Sequence, residues 1–400
     1  MERRSEKRDV LPQASAHHAR RHASSRWLGW GASAIAGVLG FTLVYGNTIL
    51  AQVNSAFHPR DISGLVTTSP IPGDSPAGDN TPVNILLLGS DARTGVNGEI
   101  GGFVTGGMRN DTTIVMHISA DRTRVEMVSI PRDAQVTIPQ CKLSDGTIVN
   151  GREGDFNISF SNGGQQGDPA EAAACVINTV QKLTGIGIDH YAVVDFAGFI
   201  HMVDALGGVP ICVPERIVSK KAKLNLYAGP QILTGKQALA FARLRTAEVG
   251  QVSGSDLQRI NRQHELLHQV ALTALSKNYL TDIDELTQFL RSAASSLTMD
   301  PQLADTKYLL SLAFSLRKID PNHITFTTTP WKLTPDSLDV ILLPEGEQMW
   351  EDMRNDLPLS TVGTDTPGST WDSGRKATPD PLPTVGTGGD VNEALLSECR

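Results

Sequence analysis

Five stretches of this chain set charged side chains just outside apolar runs. Asp91 and Arg93 follow the run Val83-Asn-Ile-Leu-Leu-Leu-Gly89, and Arg109 and Asp111 precede a second run. Arg132 and Asp133 close Ser129-Ile-Pro-Arg-Asp133, and Arg243 and Arg245 close Phe241-Ala-Arg-Leu-Arg245. In Asp256-Leu-Gln-Arg-Ile-Asn-Arg-Gln263, residues Arg259, Arg262 and Gln263 stand at i, i+3 and i+4, so a helix would carry them on one face. Arginine presents a planar fork that matches phosphate oxygens and keeps its charge at any cellular pH. Several arginines converging therefore suit an anion with more than one phosphate. Asp91 and Asp111 supply the one or two carboxylates that Mg²⁺ takes when water and phosphate oxygens complete its shell. Such a set describes a diphosphate site, where catalysis is positioning and charge neutralisation.

Each residue also has a plainer explanation. Asp91 and Asp111 could be turn or cap residues, Arg259 could pair with Asp256 on a surface, and Arg243 and Arg245 could merely favour a helix C-terminus. His117, His201 and His264 are isolated and read as core or surface residues. Neither a Walker loop nor a Gly-x-Ser-x-Gly elbow is present, and the glycine pairs at 101–102 and 106–107 make no dinucleotide fingerprint.

The elements that must position these residues follow from apolar periodicity and turn residues. Strands are expected over 83–89, 112–119, 124–130, 190–195, 209–213 and 323–329. Helices are expected over 169–182, 196–206, 235–243, 255–279, 282–297, 301–317 and 344–356. Asp168 is the expected cap of the helix that Pro169 opens. The stretch 94–108 reads as a flexible glycine-rich loop and 139–168 as a polar loop. On the 255–279 helix, Leu257, Ile260, Leu267, Ala271 and Ala274 are the expected core side, while Leu266 and Val270 continue the arginine face. Mixed strands and helices point to an α/β fold with helices on both faces of a sheet.

Residues 1–26 hold seven basic and three acidic side chains, and no charge appears from Trp27 to Tyr45. That uncharged run is about the length that crosses a ~30 Å hydrocarbon core, and basic residues hold their side in the cytoplasm. The expected organisation is a cytoplasmic tail over 1–26, a transmembrane helix over 27–46, an extracytoplasmic linker over 47–82, a folded domain over 83–357 and a disordered tail over 358–400. The formal net charge is −8, and removing the basic tail leaves about −12, which argues against a nucleic-acid binder. Outside the cytoplasm cysteines tend to pair, and Cys141 with Cys175 is the expected disulfide. Cys212 and Cys399 are left without an assigned pairing.

The five charged stretches carry a resemblance. Gly-Ser-Asp-Ala-Arg (89–93), Arg-Asn-Asp-Thr (109–112), Ser-Ile-Pro-Arg-Asp (129–133), Leu-Thr-Gly-Lys-Gln-Ala-Leu-Ala-Phe-Ala-Arg-Leu-Arg (233–245) and Asp-Leu-Gln-Arg-Ile-Asn-Arg-Gln (256–263) resemble, in order and spacing, the LytR–CpsA–Psr family, and its actinobacterial members most. The resemblance implies a three-layer α/β/α sandwich around a central mixed sheet. It implies a phosphotransferase that moves a glycopolymer from a polyprenyl diphosphate carrier onto peptidoglycan through a phosphodiester. By motif match Asp91 and Asp111 become the Mg²⁺-associated acids, with Arg109 and Arg245 beside them in catalysis. Arg93, Arg109, Arg132, Arg243, Arg245, Arg259 and Gln263 become pyrophosphate contacts, and Leu266 and Val270 candidate walls of a lipid channel. Two departures stand out: Asp155-Phe-Asn157 replaces a Lys-Ile-Asn segment, and Gln258 stands where many relatives have an acid. A polyprenyl diphosphate hydrolase and a non-catalytic regulator that binds lipid-linked intermediates are the competing expectations.

Overall fold

In the computed structural model the chain divides into two compact units, Met1–Gln52 and Val53–Arg400. The structure describes residues 59–67, 80–92, 96–101, 107–250, 256–276, 297–317, 319–334 and 339–360, with isolated positions between 48 and 57, at 70 and at 252. The expected span, Arg93, Cys399, residues 282–296 of the expected 282–297 helix and the tail beyond 360 lie outside the described residues. Among the described residues no helix is long and apolar enough to cross a membrane.

The second unit is built on strands β1 (Val83–Ser90), β2 (Asn110–Ile118), β3 (Val125–Ile130), β4 (Gln135–Ile138), β5 (Arg152–Asp155), β6 (His190–Val194), β7 (Val209–Val213), β8 (Gly229–Leu233), β9 (Leu297–Met299) and β10 (Ile324–Thr328). Six of them form one mixed sheet in the order β9-β6-β1-β2-β3-β10. β1 pairs with β2 antiparallel and with β6 parallel, β2 with β3 antiparallel, and β3 with β10 parallel. The sheet is a mixed α/β arrangement, as the alternation of strand and helix patterns predicts.

The main helices are α1 (Pro169–Thr184), α2 (Phe196–Ala205), α3 (Gly235–Ala242), α4 (Asp256–Ser276), α5 (Thr306–Leu316) and α6 (Glu345–Arg354). Their starts are written in the sequence. Asp168 accepts a hydrogen bond from Ala170 N with Pro169 behind it, Asp195 accepts from Gly198 N, and Thr234 and Gln237 form a capping box. Val176, Ile177 and Val180 of α1 are buried with Leu86, Leu88, Val115, Val128 and Tyr191 of the sheet. Each fully buried leucine there contributes roughly 1.5–3 kcal/mol. α4 touches the sheet through other residues: Ser129 Oγ lies 2.6 Å from His264 Nε2, and the rings of His264 and His268 pack on Phe326. A second apolar cluster joins β7, β8 and α3 to α4 through Val209, Ile211, Leu233, Phe241 and Leu266.

Several expectations need correction. The polar loop over 139–168 contains structure: β4 pairs with β5 antiparallel, and a short helix covers Ile158–Gly163. That helix crosses α1 so closely that a Cβ on Gly163 would stand 2.3 Å from Glu171 O. The glycine-rich stretch carries a helical turn over Val96–Gly101. Leu297 belongs to an edge strand, not a helix, because Leu297–Met299 supply ladder partners to β6. The helix expected from 301 begins at Thr306, where Asp305 caps it. Cys141 and Cys175 are joined, as expected, and Cys212 is disulfide-bonded to a partner outside the described residues.

Candidate functional site

Antiparallel pairing assembles the site. Because β2 runs against β1 and β3, the start of β2 lies beside the ends of both neighbours. Asp91, Arg109, Asp111, Arg132 and Asp133 therefore share one edge of the sheet. Gly89 pairs with Thr112 and Ser90 with Asn110, which leaves Asp111 as the extra residue of a β-bulge. Bulges re-aim side chains, and this one carries the central carboxylate of the site.

Asp91 clamps the bulge from the other strand. Its N–H donates to Arg109 O at 2.9 Å, and its Oδ1 accepts from Arg109 N at 2.9 Å. Asp111 Oδ1 accepts from Arg132 Nη1 at 2.6 Å, and Arg132 Nε also donates to Asp133 Oδ2 at 3.2 Å. Asp133 Oδ1 accepts from Asn157 Nδ2 at 3.2 Å. Asn157, the residue kept in the departing Asp155-Phe-Asn157 segment, thus supports the arginine through its acid partner. Burial pushes the Asp111 carboxyl up, but the charges of Arg259, Arg132 and Arg245 and the Arg132 hydrogen bond outweigh it. The net value lies below the ordinary 3.8, so the group is a carboxylate.

α3 and α4 bring the remaining arginines. Arg243 closes α3 with its guanidinium 4.0 Å from the centroid of the Phe196 ring, a cation–π contact with the first residue of α2. Gln263 Nε2 donates to Ala242 O at 3.3 Å, and its Oε1 accepts from Thr112 Oγ1 at 3.0 Å, so it ties α3 to the bulged strand. Asp111, Thr112, Thr113, Ser129, Ile130, Arg132, Ile260 and Gln263 line one cleft. Arg109 and Arg245 are exposed, and the charge of Arg245 acts on Asp111.

The orientation of α4 overturns one expectation. Arg259, Arg262 and Gln263 are 3%, 0% and 8% exposed, and Leu266 is 1% exposed, whereas Leu267, Ala271 and Ala274 are only half-buried. The arginine face is the inward one. Its first turns wall the cleft, and Leu266 enters the second apolar cluster with Val270 packed against it. Ile260 is buried, as expected.

Three residues, Thr112, Ser129 and His264, were not assigned to the site from sequence. Thr112 is a pattern-neutral strand residue that meets Gln263 across the cleft. Ser129 and His264 meet there as well, and burial lowers the imidazole to about 4, so His264 is neutral. Arg262 donates through Nη2 to Leu244 O, between the two arginines that end α3. Its spacing with Arg259 was the one available signal.

A model of the LytR_cpsA_psr family matches residues 52–355, which takes in every described element of the site. The chain belongs to the LytR–CpsA–Psr family. The probable cell wall biosynthesis protein LcpB of Corynebacterium glutamicum is 31% identical over 271 residues, covering 66% of this chain and 57% of the relative. The polyisoprenyl-teichoic acid–peptidoglycan teichoic acid transferase TagT of Bacillus subtilis is 25% identical over 328 residues, 79% of this chain and 90% of that one. The LytR-Csp2A-Psr enzyme from Actinomyces oris shares the fold, with a TM-score of 0.52 at 21% identity over 74% of this chain and 96% of its own. The matched region spans about half the length of the corynebacterial relatives, 57% of LcpB and 49% of LcpA.

Proposed function

We propose that this LytR–CpsA–Psr protein is a membrane-anchored phosphotransferase of cell wall assembly. It moves a glycopolymer from a polyprenyl diphosphate carrier onto peptidoglycan and leaves a phosphodiester. The observation that carries this reading is the convergence of Arg132, Arg245 and Arg259 on the bulged Asp111. The named activity of the Bacillus subtilis relative supports it. The organisation belongs to the same reading: a span over 27–46, a linker over 47–82, an extracytoplasmic domain over 83–357 and a tail over 358–400. So does a three-layer α/β/α sandwich, supported by α1 and α4 meeting the sheet through different residues.

The chemistry asks for charge neutralisation around a diphosphate. Arg132 and Arg259, whose charges act on Asp111, would grip its oxygens, Arg109, Arg243 and Arg245 would add charge, Gln263 would fix the strand, and Arg93 is a further candidate contact. A hydroxyl of the acceptor attacks the phosphorus that bears the glycan and gives up its proton, the bond from that phosphorus to the bridging oxygen breaks, and polyprenyl phosphate leaves and takes up the proton. Leu266 and Val270 are the candidates for contact with the polyprenyl chain, since they lead from the arginines into apolar surroundings. Among the described residues no group of three or more His, Cys, Asp or Glu could hold a metal ion. Asp91 and an ionised Asp111 fit Mg²⁺ of the open kind, bound by one or two carboxylates and by substrate oxygens. Bound there, Mg²⁺ would offset the negative charge of the diphosphate.

The test uses the full chain with a polyprenyl diphosphate-linked glycan, Mg²⁺ and peptidoglycan, following glycan attached to the acceptor. Attachment that Asp111→Ala abolishes supports the transferase. Lipid cleavage with nothing attached points to a hydrolase, and lipid bound but intact points to a regulator; either outcome overturns the reading.

A further inference from the structure

α5 is an apolar helix that is hardly covered. Its sequence is Thr-Lys-Tyr-Leu-Leu-Ser-Leu-Ala-Phe-Ser-Leu, yet Thr306 is its one buried residue. On a helical wheel Leu310, Ala313 and Phe314 share the outer side with Lys307 and Arg317. Phe314 is 52% exposed. The Arg317 guanidinium lies 3.5 Å from the Phe314 ring centroid, and its Nη1 donates to Phe314 O at 2.6 Å. An exposed ring with a cation stacked on it, beside a leucine and a second cation, is an amphipathic surface with basic edges. Such a surface suits the boundary between anionic headgroups and acyl chains.

Chain length points to the same occupant. Thr306 N donates to Asn54 Oδ1 at 3.0 Å, and Thr306 Oγ1 also bonds Asn54. Asn54 follows the end of the expected span by about eight residues, which reach roughly 28 Å even fully extended. The first turn of α5 is thus tethered within that reach of the bilayer. Tyr308 Oη lies 2.7 Å from His190 Nε2, at the first residue of β6. β6 is parallel to β1, and β1 ends at the cleft. The start of α5 and the cleft therefore occupy opposite ends of the sheet strands.

We propose that α5 is a membrane-docking helix that seats the domain on the anionic lipid surface through Leu310, Phe314, Lys307 and Arg317. The inference rests on the reading of 27–46 as a span. It holds the base of the sheet on the lipid and turns the cleft away from it, toward the wall. The five-residue β6 sets the cleft roughly 17 Å beyond that base.

The test is made on the full chain in vesicles of equal phosphatidylglycerol and phosphatidylcholine. An environment-sensitive fluorophore is placed on a cysteine at Phe314→Cys, or at the exposed Ile341→Cys, whose neighbour Val340 bridges Ala134 beyond the cleft end of β3. The expected result is a blue-shifted label at 314 that iodide does not quench and headgroup-region doxyl lipid does, with a label at 341 that iodide quenches freely. Lys307→Glu with Arg317→Glu should restore iodide quenching at 314. Equal iodide access at both labels, in protein that alkaline carbonate does not strip from the vesicles, overturns docking and leaves the span standing. Protein that carbonate strips away removes the span, and the docking proposal falls with it.

Discussion

Arg132 Nη1 and Asp111 Oδ1 lie 2.6 Å apart, one just past the end of β3 and the other at the start of the antiparallel β2. Neither is deeply buried: the side chains are 20% and 27% exposed. An ion pair in that position contributes at most about 1 kcal/mol to stability. Its place in the cleft matters more. Asp111→Asn should leave the thermal midpoint within a few degrees of the parent and lower glycan transfer roughly a hundredfold or more. Arg132→Lys keeps a charge but loses the fork that engages Asp111 and Asp133 together, so transfer should also fall. Parallel thermal melts and transfer assays check both; a variant that melts far below the parent would make the pair structural.

The pH dependence of stability has a named source on α4. Burial raises the Glu265 carboxyl from an ordinary 4.5 to about 7. Between those values the folded chain holds a proton that the unfolded chain has released, so stability from this group is complete below about pH 4.5 and declines as pH rises through 7. Burial lowers His264 from 6.5 to about 4, and its effect runs the other way, with stability lost as pH falls from 6.5 toward 4. The two adjacent residues therefore oppose each other in one window. Glu265→Gln removes one side of that balance. It should melt above the parent near pH 8.5 and together with it near pH 4.5. A difference between the two proteins that does not change with pH would contradict the assignment.

The Cys141–Cys175 bridge closes a segment with a sequence separation of 34 and joins the β4–β5 region to α1. A loop of that size stabilises by about 3–4 kcal/mol in the chain-entropy account. Cys141→Ser with Cys175→Ser should lower the melting midpoint by roughly 6–15 °C. Replacing both cysteines, not adding reductant, isolates this bridge, because Cys212 is disulfide-bonded too.

What could be read from the sequence was set by how locally each feature is encoded. Asp168-Pro169, Asp195 and Thr234 with Gln237 announce their helices because each cap is made within a few residues. Asp91, Asp111 and Arg132 were legible as a group because each abuts an apolar strand, although the bulge that aims Asp111 depends on pairing between chain segments. Leu297–Met299 was not legible: three residues carry no period, and their strand conformation comes from β6. The core side of α4 was not legible, because apolar periodicity marks Leu267, Ala271 and Ala274 and gives no reason to bury arginine. Here Arg259 and Arg262 are both buried, with the charge of Arg259 acting on Asp111 and Arg262 donating to the Leu244 carbonyl. The Ser129–His264 and Thr112–Gln263 contacts join residues far apart in sequence, with no motif to pair them.

Arg262 offers the sharpest separation of positioning from stability. It is fully buried, and burial first, then the neighbouring charge of Arg259, brings its guanidinium down to about 10. Its Nη2 donates to Leu244 O. That carbonyl lies between Arg243, stacked on Phe196, and Arg245, whose charge acts on Asp111. Arg262→Met keeps much of the volume and removes a buried cation. Losing the donor leaves Leu244 O unpaired at a cost of about 1–3 kcal/mol, while the desolvation cost of the buried cation goes with it, so the melting midpoint should move by only a few degrees. The segment bearing Arg245 would lose its tie to α4, and transfer should fall roughly tenfold or more through poorer placement of that arginine. The Asp111 carboxyl, followed by carbon-13 NMR of labelled aspartate, should move up toward its ordinary 3.8 as Arg245 drifts from it. Lost activity with an unmoved Asp111 titration would rule out this route, and retained activity would show that Arg262 serves the fold alone.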